Sequence, residues 1–88
     1  MQGIIDPEEL VAFANSLEAY VQALEEETNK ISGAFEHVKE TWNDQKTKEF
    51  EEKFNELRGT MAGFENNARE QIPALRAMAE HADNYLKV

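Results

Sequence analysis

Two ladders of apolar residues, one in each half of the chain, most constrain its fold. In the first half, apolar side chains recur every seven residues, at Leu10, Leu17, Leu24, Ile31 and Val38. In the second half they follow steps of four and three, at Phe50, Phe54, Leu57, Met61, Phe64 and Ala68. Residues three, four and seven apart share one face of an α-helix. The ladders therefore predict two long amphipathic helices, each with an apolar stripe that something must cover.

Residues that favour helix ends indicate where the two helices begin and end. Asp6 can cap the first helix and Pro7 suits its first position. Asn43 tolerates a left-handed backbone and Asp44 is a good N-cap, so the chain can reverse direction between the ladders. We expect an all-α antiparallel helical hairpin in a single domain over residues 1–88. Its predicted parts are a helix at about 7–40, a turn at about 41–44 and a helix at about 45–86.

Two residues interrupt the helical patterns. Pro73 removes a backbone hydrogen bond and clashes with the preceding turn, so we expect a kink or a short break near it. Gly33 costs about 1 kcal/mol relative to alanine inside a helix. It is either a tolerated glycine or a place where a neighbouring helix approaches closely.

Charge and composition narrow the kinds of partner. The 88 residues contain no cysteine, and 18 acidic against 9 basic residues give a net charge of -9. Disulfides and thiolate metal sites are therefore excluded. An acidic surface disfavours binding to nucleic acid and to anionic membranes, and no apolar run is long enough for a membrane-spanning helix. Within the acidic run at 25–27, Glu26 is placed to pair with Lys30 one turn later.

The sequence offers no constellation for catalysis or metal binding. Neither His37 nor His81 is preceded at three residues by glutamate, since Ala34 and Met78 stand there, so the di-iron pattern of helical bundles is absent. The zinc-protease motif and the strained serine elbow are absent as well. We therefore predict no enzymatic activity, no cofactor and no metal.

Assembly is the remaining way to cover both stripes of so short a chain. Trp42, the only tryptophan, stands at the corner between the helices, where it can cap the core or project toward a partner. The partner would be a second copy or another chain, and the sequence leaves this choice open. The corner motif comprises Trp42, Asn43 and Asp44. The residues predicted to form the core and the dimer interface are Leu10, Leu17, Leu24, Ile31, Val38, Phe50, Phe54, Leu57, Met61 and Phe64.

The corner and its two helices resemble the WXG100, or ESAT-6-like, family of small acidic proteins in which two long helices meet at Trp-x-Gly. The resemblance rests on Trp42, on Phe50 and Phe54 after it, and on a start without a secretory signal peptide. In this chain Asp44 takes the place of the motif's glycine. The family's export signal, Tyr-x-x-x-Asp/Glu, is not completed after Tyr85, which is followed by Leu86, Lys87 and Val88.

The resemblance implies hairpins that dimerise into an elongated antiparallel four-helix bundle. It also implies export by a type VII secretion system or association with its substrates, with a second copy, a related helical hairpin or a secreted effector as the partner. Two functions stay open: a non-enzymatic interaction protein of this secretion class, and a cytoplasmic structural or adaptor-like dimer that is not secreted. The expected location is correspondingly the cytoplasm, or outside the cell after export without a cleaved signal peptide.

Overall fold

Two antiparallel helices make up the described part of the chain. The computed structural model describes the backbone of residues 5–87 and the side chains of residues 5–82. The first helix, α1, spans Pro7–Lys39 and the second, α2, spans Gln45–Lys87. The prediction of an all-α helical hairpin is confirmed.

The first helix starts where its capping residues predict. Asp6 has an extended backbone, and its carboxylate accepts hydrogen bonds from the backbone amides of Glu8, at 3.0 Å, and Glu9, at 3.4 Å. These bonds satisfy two of the donors that every helix leaves free at its N-terminus. Pro7 occupies the first helical position, where a missing N–H costs nothing. The predicted N-cap at Asp6 is confirmed.

The reversal between the helices takes only a few residues. At the end of α1 the backbone amide of Trp42 donates to the carbonyl of Val38 at 2.9 Å. The side chain of Asp44 then caps the next helix, because its carboxylate accepts from the backbone amide of Thr47 at 3.1 Å. Asp44 thereby satisfies a backbone N–H that the start of α2 would otherwise leave free. The chain can reverse direction here although the turn contains no glycine.

The second helix continues through Pro73. It is one α-helix from Gln45 to Lys87 with the proline inside it, so the chain does not break there. Proline still lacks the amide that would donate to the preceding turn. A kink at this position stays a prediction.

A thin row of side chains holds the two helices together. The residues buried between them are mostly small or aromatic: Ala14, Val21 and Phe35 on α1, and Phe54, Ala68, Ile72 and Ala79 on α2. Alanines on both sides let the helix backbones approach closely along the open half of the hairpin. Close to the turn, where Phe35 meets Phe54, aromatic rings fill the space instead.

The hairpin is a single layer rather than a compact domain. It measures 67 × 19 × 17 Å, with a radius of gyration of 19.7 Å, whereas a compact domain of this length would have about 12 Å. Gly33 meets nothing within 4 Å at the place where a side chain would project. Within the hairpin it is therefore a tolerated glycine, and no helix approaches it closely.

Candidate interaction surface

One side of the hairpin carries most of the exposed large apolar side chains. We call it the apolar face and define it by Phe13, Tyr20, Ile31, Val38, Trp42, Phe50, Leu57, Phe64 and Met78, all of which are exposed. On α1 these residues lie beside the buried row of Ala14, Val21 and Phe35. On α2 they recur every seven residues at Phe50, Leu57 and Phe64, and Met78 follows two such intervals later. Tyr20 and Phe64 contact each other edge to face, with ring centroids 6.1 Å apart. This contact shows that both helices present their exposed rows on the same side.

Near the turn, four aromatic rings build the most apolar part of this face. Phe35 packs against Phe50 and Phe54 at centroid distances of 5.4 and 5.0 Å, and Phe50 stacks on Phe54 at 5.9 Å. Trp42 lies over Phe50 at 6.3 Å and remains 37% exposed. A shallow groove of about 240 Å³ runs here between the two helices. Its lining consists of Ile31, Ala34, Phe35, Val38, Trp42, Phe50 and Phe54.

The opposite edge of the hairpin is held by charges. Lys39 of α1 donates to Glu51 of α2 at 2.6 Å, and Arg76 pairs with Glu18 at 2.5 Å. Arg69 forms a third interhelical ion pair with Glu25. We call this side the charged edge. Because partly exposed ion pairs contribute only about 0–1 kcal/mol each, their larger effect is to make this edge costly to bury against another protein.

The predicted interface residues divide into three groups by exposure. Phe54 alone is buried, while Leu10, Leu17, Leu24 and Met61 are half-buried between the two helices and solvent. The remaining five, Ile31, Val38, Phe50, Leu57 and Phe64, are exposed on the apolar face. The seven-residue ladder of α1 therefore lies at the border of the hairpin core rather than in its centre. Whether these residues form an interface with a second chain stays a prediction.

On α1, the centre of the hairpin core lies on a row that the seven-residue ladder does not contain. On α1 it is the series at Ala14, Val21 and Phe35, which runs four residues behind the leucine ladder. On α2 the core does follow the predicted ladder, at Phe54 and Ala68, and its continuation at Ile72 and Ala79. The signal for this row is a second apolar series on α1, beside the leucine ladder, because an apolar stripe wider than one row can contact two neighbours. Its members are Phe13/Ala14, Tyr20/Val21 and Ala34/Phe35.

At the corner, the sequence predicts Asp44 as a cap but does not single out its partner. Thr47 is only 3% exposed, and its hydroxyl donates to the Asp44 carboxylate at 3.2 Å while accepting from the Asp44 amide at 3.3 Å. Hydrogen bonding from the Thr47 amide, and then from its hydroxyl, holds the pKa of Asp44 below its usual value. The spacing Asp-x-x-Thr at a helix start was the signal for this reciprocal cap.

The ion pair predicted within the acidic run involves a different glutamate. Lys30 pairs with Glu27, at 3.2 Å, rather than with Glu26. Both partners are exposed, at 74% for Lys30 and 70% for Glu27. The i,i+3 and i,i+4 partners of a helical lysine are both within reach, and here the nearer one along the chain is chosen.

Nothing in the described residues suggests a reaction centre. Among the side chains of residues 5–82, no group of three or more His, Asp or Glu could hold a metal ion. The grooves on the surface are shallow and open, including one of about 430 Å³ at the open end of the hairpin, bordered by Val11 and Arg76. Within residues 5–87, neither helix has a stretch that is both long and apolar enough to cross a lipid bilayer.

These features define a class: a helical hairpin with one charged edge and one exposed apolar face. The family model described as proteins of 100 residues with WXG matches residues 4–84, which is nearly the whole chain. The protein belongs to the WXG100 family. Membership in this family supports the interpretation of the chain as a helical protein associated with type VII secretion. Neither the curated proteins nor the solved structures compared with the chain gave a match.

Proposed function

We propose that this protein is a non-enzymatic interaction protein that works by pairing its apolar face with the face of a second helical hairpin. The pair would form an elongated four-helix bundle that serves as a substrate or partner of a type VII secretion system. The observation that carries the proposal is the apolar face itself. Contiguous exposed apolar surface of this extent is typical of a binding site.

The exposed area of the chain supports the same conclusion. The hairpin exposes 6783 Å², whereas a compact monomer of 10.1 kDa exposes about 5,300 Å². A standard interface covers about 800 Å² on each partner, so the excess is large enough to supply one. The extra exposed surface arises because the fold has a single layer of two helices. A second hairpin packed on it would give two layers around one core, as in ordinary helical bundles.

Sedimentation equilibrium of the pure full-length chain tests the pairing. We expect a dimer at micromolar concentration, which Ile31→Lys should weaken because it places a charge among the exposed apolar side chains. The matched control is Val11→Lys: Val11 is also an exposed aliphatic residue on α1, but it lies beside Arg76 on the other side of the hairpin.

The control should associate like the wild type, and both variants should keep the helical content of the wild type by circular dichroism. A well-folded wild-type monomer would contradict self-pairing. In that case, co-purification from the native host with mass spectrometry of the bound chain would test pairing with a related hairpin. Equal association of the two lysine variants would show that the apolar face is not the contact.

Export needs its own experiment, because a dimer could equally act inside the cell as a structural or adaptor protein. In this chain the turn is closed by the Asp44–Thr47 cap instead of the motif's glycine, so the corner differs from the usual form of the family. We expect the chain in the culture medium of the native host under secreting conditions, and a loss of that pool when the secretion system is inactivated. Recovery only from the cells would favour the adaptor function.

A further inference from the structure

The two halves of the hairpin are held together by different contacts. We define the turn half as residues 28–39 of α1 with 45–61 of α2, and the open half as residues 7–25 with 66–82. In the turn half, Phe35 is buried against Phe54, with ring centroids 5.0 Å apart. The turn also joins the two helices covalently at that end. The open half has neither the aromatic cluster nor the covalent connection, so its closure depends on other contacts.

The buried row of the open half is thin. Its members are Ala14, Val21, Ala68, Ile72 and Ala79. Each alanine contributes one methyl group to the contact, whereas an aromatic side chain buries about 150–250 Å². The larger aliphatic side chains of this half are only half-buried: Leu10, Leu17 and Leu75. The apolar contact that closes the open half is therefore weaker than the ring cluster near the turn.

Two arginine bridges also join the helices of the open half. Arg76 donates to the side-chain oxygen of Asn15 at 2.9 Å and to Glu18 at 2.5 Å. Arg69 pairs with Glu25. The side chains of both ion pairs are 34–49% exposed, so dissolved salt reaches the charges and screens their attraction. Part of what closes the open half is therefore electrostatic and sensitive to salt.

A polar side chain interrupts the seam between the two halves. Glu65 is half-buried, four residues after Met61 and four before Arg69. One of its carboxylate oxygens is enclosed and has no hydrogen-bond partner among the described residues. An enclosed polar atom without a partner lowers stability, and water can bind it once the neighbouring contacts open. The level of Glu65 is therefore where the open half separates most easily from the turn half.

We propose that the open half is a latch: it separates and recloses as one unit while the turn half stays closed, and the arginine bridges determine how often it opens. The hinge lies at the level of Glu65. Opening exposes the sides of Val21 and Ile72 that the closed hairpin buries. The latch therefore controls access to a second apolar surface, separate from the apolar face. The proposal concerns the chain by itself and does not depend on a second hairpin.

Hydrogen exchange of the full chain, followed by mass spectrometry at submicromolar concentration, measures the opening of each half. The amides of residues 14–24 and 68–79 should exchange faster than those of residues 30–39 and 50–61, because local opening exposes backbone amides without global unfolding. Raising sodium chloride from about 0.05 to about 0.5 M should widen this difference, because it screens the arginine bridges.

Two substitutions should shift the latch in opposite directions. Arg76→Gln removes one bridge and should raise the exchange rates of the open half about two- to fivefold, the effect of losing one partly exposed ion pair. Glu65→Met replaces the unpaired carboxylate by an apolar side chain of similar length and should slow the same amides. Neither variant should change exchange in the turn half.

Each variant has a matched control on α2. Arg58 is also half-buried, but it donates to Asn55 of its own helix at 2.9 Å. Arg58→Gln therefore makes the same change in net charge as Arg76→Gln and should leave exchange in the open half unchanged. Glu56 is exposed, so Glu56→Met should not slow exchange there as Glu65→Met does.

Three results would overturn the latch. The first is equal exchange in the two halves of the wild type, or fast exchange confined to the terminal turns of the helices. The second is an equal acceleration of both halves by Arg76→Gln, which would show that the hairpin opens only as a whole. The third is an effect of Arg58→Gln on the open half as large as that of Arg76→Gln, which would assign the change to net charge.

Discussion

Replacing Phe35 by alanine should remove a large part of the stability of the hairpin. The ring is 8% exposed and contacts both Phe50 and Phe54. Truncating a buried phenylalanine costs about 3–5 kcal/mol, and two edge-to-face ring pairs account for about 0.5–1.5 kcal/mol each within that loss. The ammonium of Lys39 also lies 5.6 Å from the ring centroid, so the substitution removes a cation–π contact as well.

The matched control is the same substitution on the same helix, at Phe13. Phe13 is 57% exposed, so less than half of the about 1.5–3 kcal/mol for full burial is lost within the hairpin, or about 1 kcal/mol. Urea unfolding followed by far-ultraviolet circular dichroism measures both values. Protein concentrations below the dissociation constant of any dimer isolate the hairpin, since association stabilises the folded state by mass action.

We therefore expect the midpoint of Phe35→Ala to fall far below that of Phe13→Ala at low concentration. At high concentration Phe13→Ala should lose additional stability relative to the wild type, because its ring lies on the face that a partner covers. Equal losses for the two variants at low concentration would refute the assignment of Phe35 to the core. A loss at Phe13 that does not depend on concentration would argue against a partner on that part of the face.

Three further predictions follow from the caps, the charged edge and the proline. The lowered pKa of Asp44 means that its carboxylate stabilises the fold above its ordinary pKa of 3.8 and that this contribution disappears as pH falls through the folded-state pKa. Asp44→Asn should lower the midpoint near neutral pH and reduce its acid dependence; an unchanged acid profile would show that Thr47 does not stabilise the charged form. The hydrogen bond to Glu51 raises the pKa of Lys39, so its contribution is complete below the ordinary value of 10.5 and is lost as pH rises through the folded-state pKa. Lys39→Met should remove this alkaline loss, whereas persistence of the loss in the variant would assign it to another group. Pro73 is exposed and lies inside a continuous helix, so Pro73→Ala should raise the free energy of unfolding by up to about 3 kcal/mol, measured by urea titration. A variant less stable than the wild type would mean that the proline is required for packing.

The architecture could be predicted because it depends on local signals. The steps of seven in α1, and the four-and-three steps in α2, determine helices whatever surrounds them. Asp6 and Asp44 can act as caps with bonds made inside three residues. These interactions need no knowledge of how the two helices pack.

The rotation of each helix about its own axis could not be predicted in the same way. The apolar stripe of α1 is wider than one helix contact, so either the row of Leu10 or the row of Ala14 could turn inward. The row of Ala14 lies deepest because alanines on α2, at Ala68 and Ala79, allow close approach to it. This fit between the small residues of α1 and α2 depends on both helices together, so the periodicity of either helix alone does not reveal it.

The choice between Glu26 and Glu27 as the partner of Lys30 could not be predicted either. Spacing allows both, because each carboxylate lies within about one helical turn of Lys30. The structure pairs Lys30 with Glu27, and both side chains are exposed. Pro73 is a different case: its local preference is to end a helix, and the contacts of Ile72 and Ala79 with α1 hold the segment helical on both sides.

The two sides of the hairpin differ in their contacts. The charged edge joins the two helices to each other, whereas the apolar face leaves large side chains exposed to solvent. On the charged edge, burying the ion pairs of Glu51 and Arg76 against an apolar partner would cost more than their attraction returns. On the apolar face, exposed rings and aliphatic chains gain free energy from any partner that removes them from water. The proposed second hairpin would therefore bind on the apolar face, where burial is favourable, and not on the charged edge, where desolvation is costly.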